Sequence, residues 1–161
     1  MVYNGSQKIK VKLKPNYYIL HLKNCYKKIK KVKIKYEYIY ASNNFKKNTK
    51  HNPQIKISSS EIFLKFIESL SNRNSKILFR LHPSEKINDY KFIKKNFKNV
   101  TFDNNSNILK SLVLSKTLVG CETMAIVVAK KLGLKTINLD IGIKNIKSIP
   151  KKFIDKTIKI N

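Results

Sequence analysis

The chain has 161 residues, 35 of them Lys or Arg against nine Asp or Glu, so its formal net charge is +26 at pH 7. That length predicts one domain with a real core, and a content of 42% hydrophobic and 10% aromatic residues excludes a disordered polybasic tail. No apolar run approaches the ~20 residues of a membrane span, the opening MVYNGSQKIKVKLKPNYYIL has no signal-peptide core, and two cysteines, Cys25 and Cys121, exclude a disulfide scaffold and fit a reducing cytoplasm.

Residues 1–35 differ in texture from the rest and read as a short, β-rich extension. Ile9, Val11 and Leu13 alternate with lysines over Lys8–Lys14, the period of a half-exposed strand. After Pro15-Asn16, Tyr17–Leu22 reads as another short strand. The alternation of Val32, Ile34, Tyr36, Tyr38 and Tyr40 then makes Lys31–Ala41 the first strand of the main sheet, followed by the polar loop SNNFKKNTKHNPQ. Ser58 and Glu61 form a capping-box pair before a helix whose Ile62, Phe63, Phe66, Ile67 and Leu70 share a face. KILFRL is a compact strand ended by His82-Pro83, and Asn88 can cap a helix carrying Tyr90, Ile93 and Phe97. NVTFD is a strand, and Ser106 opens a helix with Ile108, Leu109, Leu112 and Val113. TLVG is a strand, Glu122–Leu132 a helix with Ala125, Val128, Ala129 and Leu132 inward, Gly133 its C′ glycine, and KTINLD the next strand. Strands alternating with helices predict an α/β fold: a Rossmann-like, doubly wound parallel sheet in residues 36–161, with strand order 3-2-1-4-5.

In such a sheet, ligands bind where strands hand over to helices at the carboxyl edge. Two of these exits carry unusual residues. In FRLHPSE, Arg80 and His82 reach the edge, and Pro83 restricts His82 to extended backbone, fixing where the imidazole points. A histidine there can donate to a phosphate oxygen, although for the dipeptide taken alone a strand-end His bonded to a backbone carbonyl is the favoured account. In TLVGCETMAIVVAKKLGL, Gly120 permits close backbone approach, the helix start offers free N–H groups to an anion, and Thr123 adds a hydroxyl. Glu122 suits a helix N-terminus but repels a phosphate unless it faces a hydroxyl such as that of ribose. An ordinary turn capped by Thr123 or Glu122 accounts for the same residues. Cys121 is read as a small buried hydrophobe rather than a nucleophile. His21, His51 and His82 have no metal-ligand spacing, so no metal or cofactor is expected.

The charge is read mainly as compositional. Only Arg73 and Arg80 are arginine, whereas nucleic-acid recognition relies on the planar guanidinium fork. The lysines are spread over KIKVKLK, KKIKKVKIK, KKNFK and IPKKF rather than gathered on one element. Nucleic acid is thus disfavoured as a partner, while anionic lipid and acidic polysaccharide remain attractive to such a surface. A non-catalytic basic module binding a polyanion is the alternative reading.

Taken together, RLHPSE, NVTFD and TLVGCETMAIVVAKKLGLKTINL resemble the C-terminal, donor-nucleotide-binding half of bacterial GT-B glycosyltransferases. The likeness is to capsule and surface-glycan enzymes of the sialyltransferase and polysialyltransferase type, and it covers about Tyr38 to Phe153. It implies that His82 and Pro83 match the family's HP motif and that Thr123 matches its later Ser/Thr motif. Arg80, Ser84, Glu85, Gly120, Cys121 and Glu122 would then surround the donor nucleotide, with His82 catalytic. Cys121-Glu122-Thr123 stands where a Ser/Thr pair is expected, which leaves UDP-sugar and CDP-polyol donors open beside a CMP-sugar. The resemblance also implies a glycan acceptor, a cytoplasmic place, contact with the inner face of the membrane, and a second Rossmann-like half that residues 1–35 are too short to form. The chain is then either a fragment or split product of a longer enzyme or works with a half on another chain.

Overall fold

The computed structural model describes residues 17–29, 32–46, 54–143 and 148–160. In chain order these form α1 (Tyr17–Ile29), β1 (Tyr36–Ala41), α2 (Ser59–Glu68), β2 (Ile77–Arg80), a 3-10 turn running into α3 (Lys91–Asn96), β3 (Val100–Phe102), α4 (Ile108–Leu112), β4 (Ser115–Gly120), α5 (Met124–Lys131), β5 (Lys135–Asp140) and β6 (Lys156–Lys159). All strand pairs are parallel, in the order β3-β2-β1-β4-β5-β6. The order reverses at β1, the topological switch of a doubly wound Rossmann-like sheet.

The helices divide between the two faces. α2 and the segment ending in α3 cover one, where Tyr40, Phe63, Phe66 and Phe79 pack together. Phe63 meets Tyr40 and Phe79 edge-on, with ring centroids 4.8 and 4.6 Å apart. α1, α4 and α5 cover the other face over Ile39, Leu78 and Leu118. β1, β2 and β4 are covered on both sides, and their buried stretches Ile39–Ala41, Ile77–Phe79 and Thr117–Gly120 are nearly all apolar. The capping box forms as expected: Ser58 Oγ accepts from the Glu61 N–H, and Glu61 returns a bond to the Ser58 N–H at 2.8 Å. α5 closes on Gly133 at φ +87°, whose N–H reaches the Lys130 carbonyl while that of Leu134 reaches Ala129.

Several expectations are corrected. Tyr17–Leu22 is not a strand but the start of α1, because Ile19, Leu22, Tyr26 and Ile29 recur at helical spacing and pack on the core shared with α4 and α5. The alternating Lys8–Lys14 lies outside the described residues. The first sheet strand begins at Tyr36 rather than Lys31, with Val32 and Ile34 left exposed. Asn107, not Ser106, caps α4, accepting from the Leu109 N–H at 2.9 Å, and Asn88 sits inside the 3-10 turn rather than capping a helix. β6 is an additional strand. Its KTIK sequence is mostly exposed at the sheet margin, so it carries almost no hydrophobic pattern.

Candidate functional site

The sheet register brings both motifs to one edge at one level. Ala41, the last residue of β1, pairs with Arg80 at the end of β2 and with Gly120 at the end of β4. The His82 turn and the Gly120–Thr123 turn therefore flank the exit of β1. Three consecutive residues of that exit tie them together. Ser42 Oγ donates to Glu85 Oε1 at 3.1 Å, Asn43 Nδ2 donates to the Cys121 carbonyl, and Asn44 Nδ2 donates to Ser84 Oγ at 2.9 Å. The Ser59 hydroxyl at the start of α2 donates to the Asn43 carbonyl and so anchors the loop from behind.

His82–Glu85 is a hydrogen-bonded β-turn with Pro83 in its second position, closed by the Glu85 N–H on the His82 carbonyl at 2.9 Å. Glu85 folds back beneath it. Its Oε2 accepts from the His82 N–H at 2.8 Å, and its Oε1 accepts from the hydroxyls of Ser42 and Tyr90. Burial and the bond to Glu85 push the buried Tyr90 phenol well above its ordinary pKa, so it acts only as a neutral donor. The imidazole is exposed. His82 Nδ1 lies 2.7 Å from Ser84 Oγ and accepts from the Ser84 N–H at 3.3 Å. Because Asn44 already donates to Ser84 Oγ, the serine hydroxyl hydrogen is free to point at Nδ1. In the neutral ring this places the proton on Nε2, which projects from the turn as a donor.

The second turn is tightly constrained. A Cβ on Gly120 would stand 2.5 Å from Thr123 Cγ2, so a side chain here would push against the residue that caps α5, while the Ala41 carbonyl oxygen at 3.4 Å is at ordinary contact. Cys121 points into the core. Burial, with smaller contributions from the Glu122 and Asp140 charges, pushes its thiol up to about 12, leaving it protonated at neutral pH. Glu122 adopts φ +47°, a left-handed conformation that non-glycine residues rarely take. Its N–H reaches Asn138 Oδ1 at 2.9 Å, while its carboxylate accepts from Asn138 Nδ2 at 2.6 Å and from the N–H groups of Ser148 and Ile149 at 2.8 and 3.0 Å. Glu122 thus holds the segment leading into β6. Thr123 caps α5 by accepting from the Ala125 N–H, which leaves its hydroxyl hydrogen available to a ligand.

Arg80 faces away from the β1 exit toward β3. Its Nη1 donates to Asp103 Oδ2 at 2.6 Å and to the Asn105 carbonyl at 2.9 Å, and its Nη2 reaches the Ser106 carbonyl at 3.2 Å. Burial raises the Asp103 pKa, but bonds from Ser111, the Asn105 backbone and Arg80 outweigh it and hold the carboxyl below its ordinary value. The register therefore places His82, Pro83, Ser84, Gly120 and Thr123 on the two turns that flank the β1 exit, and Arg80, Glu85, Cys121 and Glu122 have internal partners beside them.

The residues that sequence reasoning missed are Ser42, Asn43 and Asn44. The signal was a run of small polar side chains directly after the first sheet strand, but its meaning depends on both motifs flanking that strand. An apolar cleft of about 680 Å³ lies between α2 and the residues leaving β5 and β6, lined by Ile57, Leu64, Ile141 and Ile160 among others. Neither motif contributes to it. Among the described residues there is no cluster of three or more His, Cys, Asp or Glu side chains able to hold a metal. No family model matches this chain, and no curated protein matches it significantly.

Proposed function

We propose that this chain is the donor-nucleotide-binding half of a GT-B-type glycosyltransferase, which passes a sugar from a nucleotide-sugar to a surface glycan. The observation that carries the reading is the register of Ala41 with both Arg80 and Gly120, which sets the two turns on either side of the β1 exit. Next-nearest strands are ~9–10 Å apart, a gap that a nucleotide can bridge. The start of α5 and the Thr123 hydroxyl face one side of a bound phosphate, and His82 Nε2–H donates from the other. As the bond from the sugar to the phosphate breaks, negative charge grows on the leaving phosphate, and His82 stabilises it by donating to an oxygen. The reading uses no metal.

A sialic-acid-like sugar on CMP is the first donor class to test, with UDP-sugars and CDP-polyols beside it. A place in the cytoplasm, attached peripherally at the inner face of the membrane, belongs to the same proposal. It is supported by the +26 charge and by the finding that no helix among the described residues is long and apolar enough to cross a bilayer.

Calorimetry with CMP, UDP and CDP tests the site. One of them is expected to bind in the micromolar range. His82→Ala should weaken that binding by about tenfold or more, the loss of one charge-assisted bond, with an unchanged melting temperature because the side chain is exposed. Binding of no nucleotide, or affinity indifferent to His82, would overturn the proposal.

A further inference from the structure

The sheet separates charge along its strand axis. Six of the nine carboxylates, Glu61, Glu85, Asp89, Asp103, Glu122 and Asp140, belong to strand exits or to the first turns that follow them, at the carboxyl edge. The amino edge is the reverse. Each of the six strands is entered through an exposed lysine: Lys35, Lys98, Lys76, Lys116, Lys135 and Lys156. Crossover helices run back against the strands, so α3 and α5 deliver Lys95 and Lys131 to the same edge in their last turns. Of the three acids at this end, Glu37 is paired with Lys116 at 2.7 Å and Asp155 with Lys130, while Glu68, in the last turn of α2, shares a cleft with Arg73, Lys95 and Lys98. Among the described residues no carboxylate is ion-paired with Lys35, Lys76, Lys98, Lys135 or Lys156. With strands ~4.8 Å apart, the six entries make a cationic row of roughly 24 Å.

We infer that this amino edge is a docking face for an anionic lipid bilayer. The inference deepens the peripheral placement proposed above and is independent of the nucleotide site, which lies at the opposite edge. Two features select lipid over nucleic acid. First, Val32 and Ile34 are 42% and 50% exposed and alternate with Lys33 and Lys35 on the segment that enters β1, so apolar side chains and ammonium groups leave one short stretch together. That combination suits the headgroup boundary, where lysines meet lipid phosphates and the aliphatic groups enter the acyl region. Second, the cations are lysines, whereas reading bases or gripping phosphates two-pronged calls for arginine. A cleft of about 700 Å³ opens on this edge among Lys33, Lys35, Lys76 and Lys98, wide enough to admit a phosphate headgroup. Docked this way, the chain turns its carboxyl edge away from the bilayer.

The test is co-sedimentation of the full chain with vesicles of phosphatidylglycerol in phosphatidylcholine, against pure phosphatidylcholine. Wild type should bind only the anionic vesicles, and less as salt is raised. Each lysine near such a surface contributes roughly a factor of five, so losing three of them costs about a hundredfold, and the triple variant Lys35→Glu, Lys76→Glu, Lys98→Glu, which reverses the charges, should lose at least that much. A triple variant away from that edge, Lys46→Glu, Lys56→Glu, Lys91→Glu, changes net charge equally and should keep most of the binding. Ile34→Ser should remove the part that survives high salt. Circular dichroism checks folding, and the three Lys→Gln changes replace the glutamates if the reversal disturbs it. Equal losses in both triple variants would reduce the effect to bulk charge and overturn the inference. So would equal binding to neutral vesicles, or binding to random oligonucleotide, but not to anionic vesicles, that the amino-edge variant abolishes. None of these readings uses nucleotide, so failure here and failure at His82 are distinguishable.

Discussion

Single residues at the carboxyl edge carry opposed demands, and three of them give measurable consequences. Gly120 has no room for a side chain. Gly120→Ala should cost about 1–3 kcal/mol in urea unfolding, the range for overpacking, because its methyl group must displace the Thr123 side chain that caps α5. Glu122 combines a left-handed backbone with a carboxylate that holds Ser148 and Ile149. Both Glu122→Ala and Glu122→Gly lose the carboxylate, but only glycine is relaxed at φ +47°. The glycine variant should therefore be the more stable by about 1 kcal/mol, and equal midpoints would show that the turn is unstrained. Asp103 has a pKa below that of the unfolded chain, so it adds stability above the ordinary carboxylate range. That stability is lost as pH falls from about 4 through the lower folded value. In Asp103→Asn this part of the acid transition should disappear, read from unfolding midpoints across that window.

At the scale of elements, local chemistry decides what could be read ahead of the fold. The boundary of α2 was legible because a capping box binds its own backbone whatever packs around it. Ser58→Ala should cost about 1 kcal/mol by thermal or urea unfolding. β1 was legible through the alternation of its tyrosines, β2 as a compact apolar run, and α5 through its glycine stop. α1 was misread because YYIL presents aromatic and β-branched residues that favour strands, and its helical stripe emerges only when Leu22, Tyr26 and Ile29 are counted together. β6 escaped notice because a marginal strand with exposed side chains needs no pattern beyond its backbone bonds to β5. In the candidate site, Gly120, His82 and Thr123 stood out by residue type. Asn43 and Asn44 did not, since their partners Cys121 and Ser84 lie far away in sequence and meet them only through the strand order.

The whole molecule carries a large surplus of positive charge on a compact body, and self-repulsion opposes that compactness. Its melting temperature should rise as ionic strength is taken from very low to physiological values, because the repulsion is screened at long range while the Arg80–Asp103 pair, with its carboxylate fully buried, is protected. A flat or falling curve would mean that the lysines are spaced widely enough not to matter. The position of β1 has another consequence. β1 is bonded by β2, which follows after a single helix, but its other flank is bonded only by β4, after the chain has travelled out to β3 and returned. During synthesis the flank of Ile39 and Tyr40 therefore stays an open strand edge until Gly120 has left the ribosome. An unpaired apolar edge is a template for pairing with a neighbouring chain. The pace of translation between β3 and β4 thus sets how long each nascent chain is exposed to aggregation.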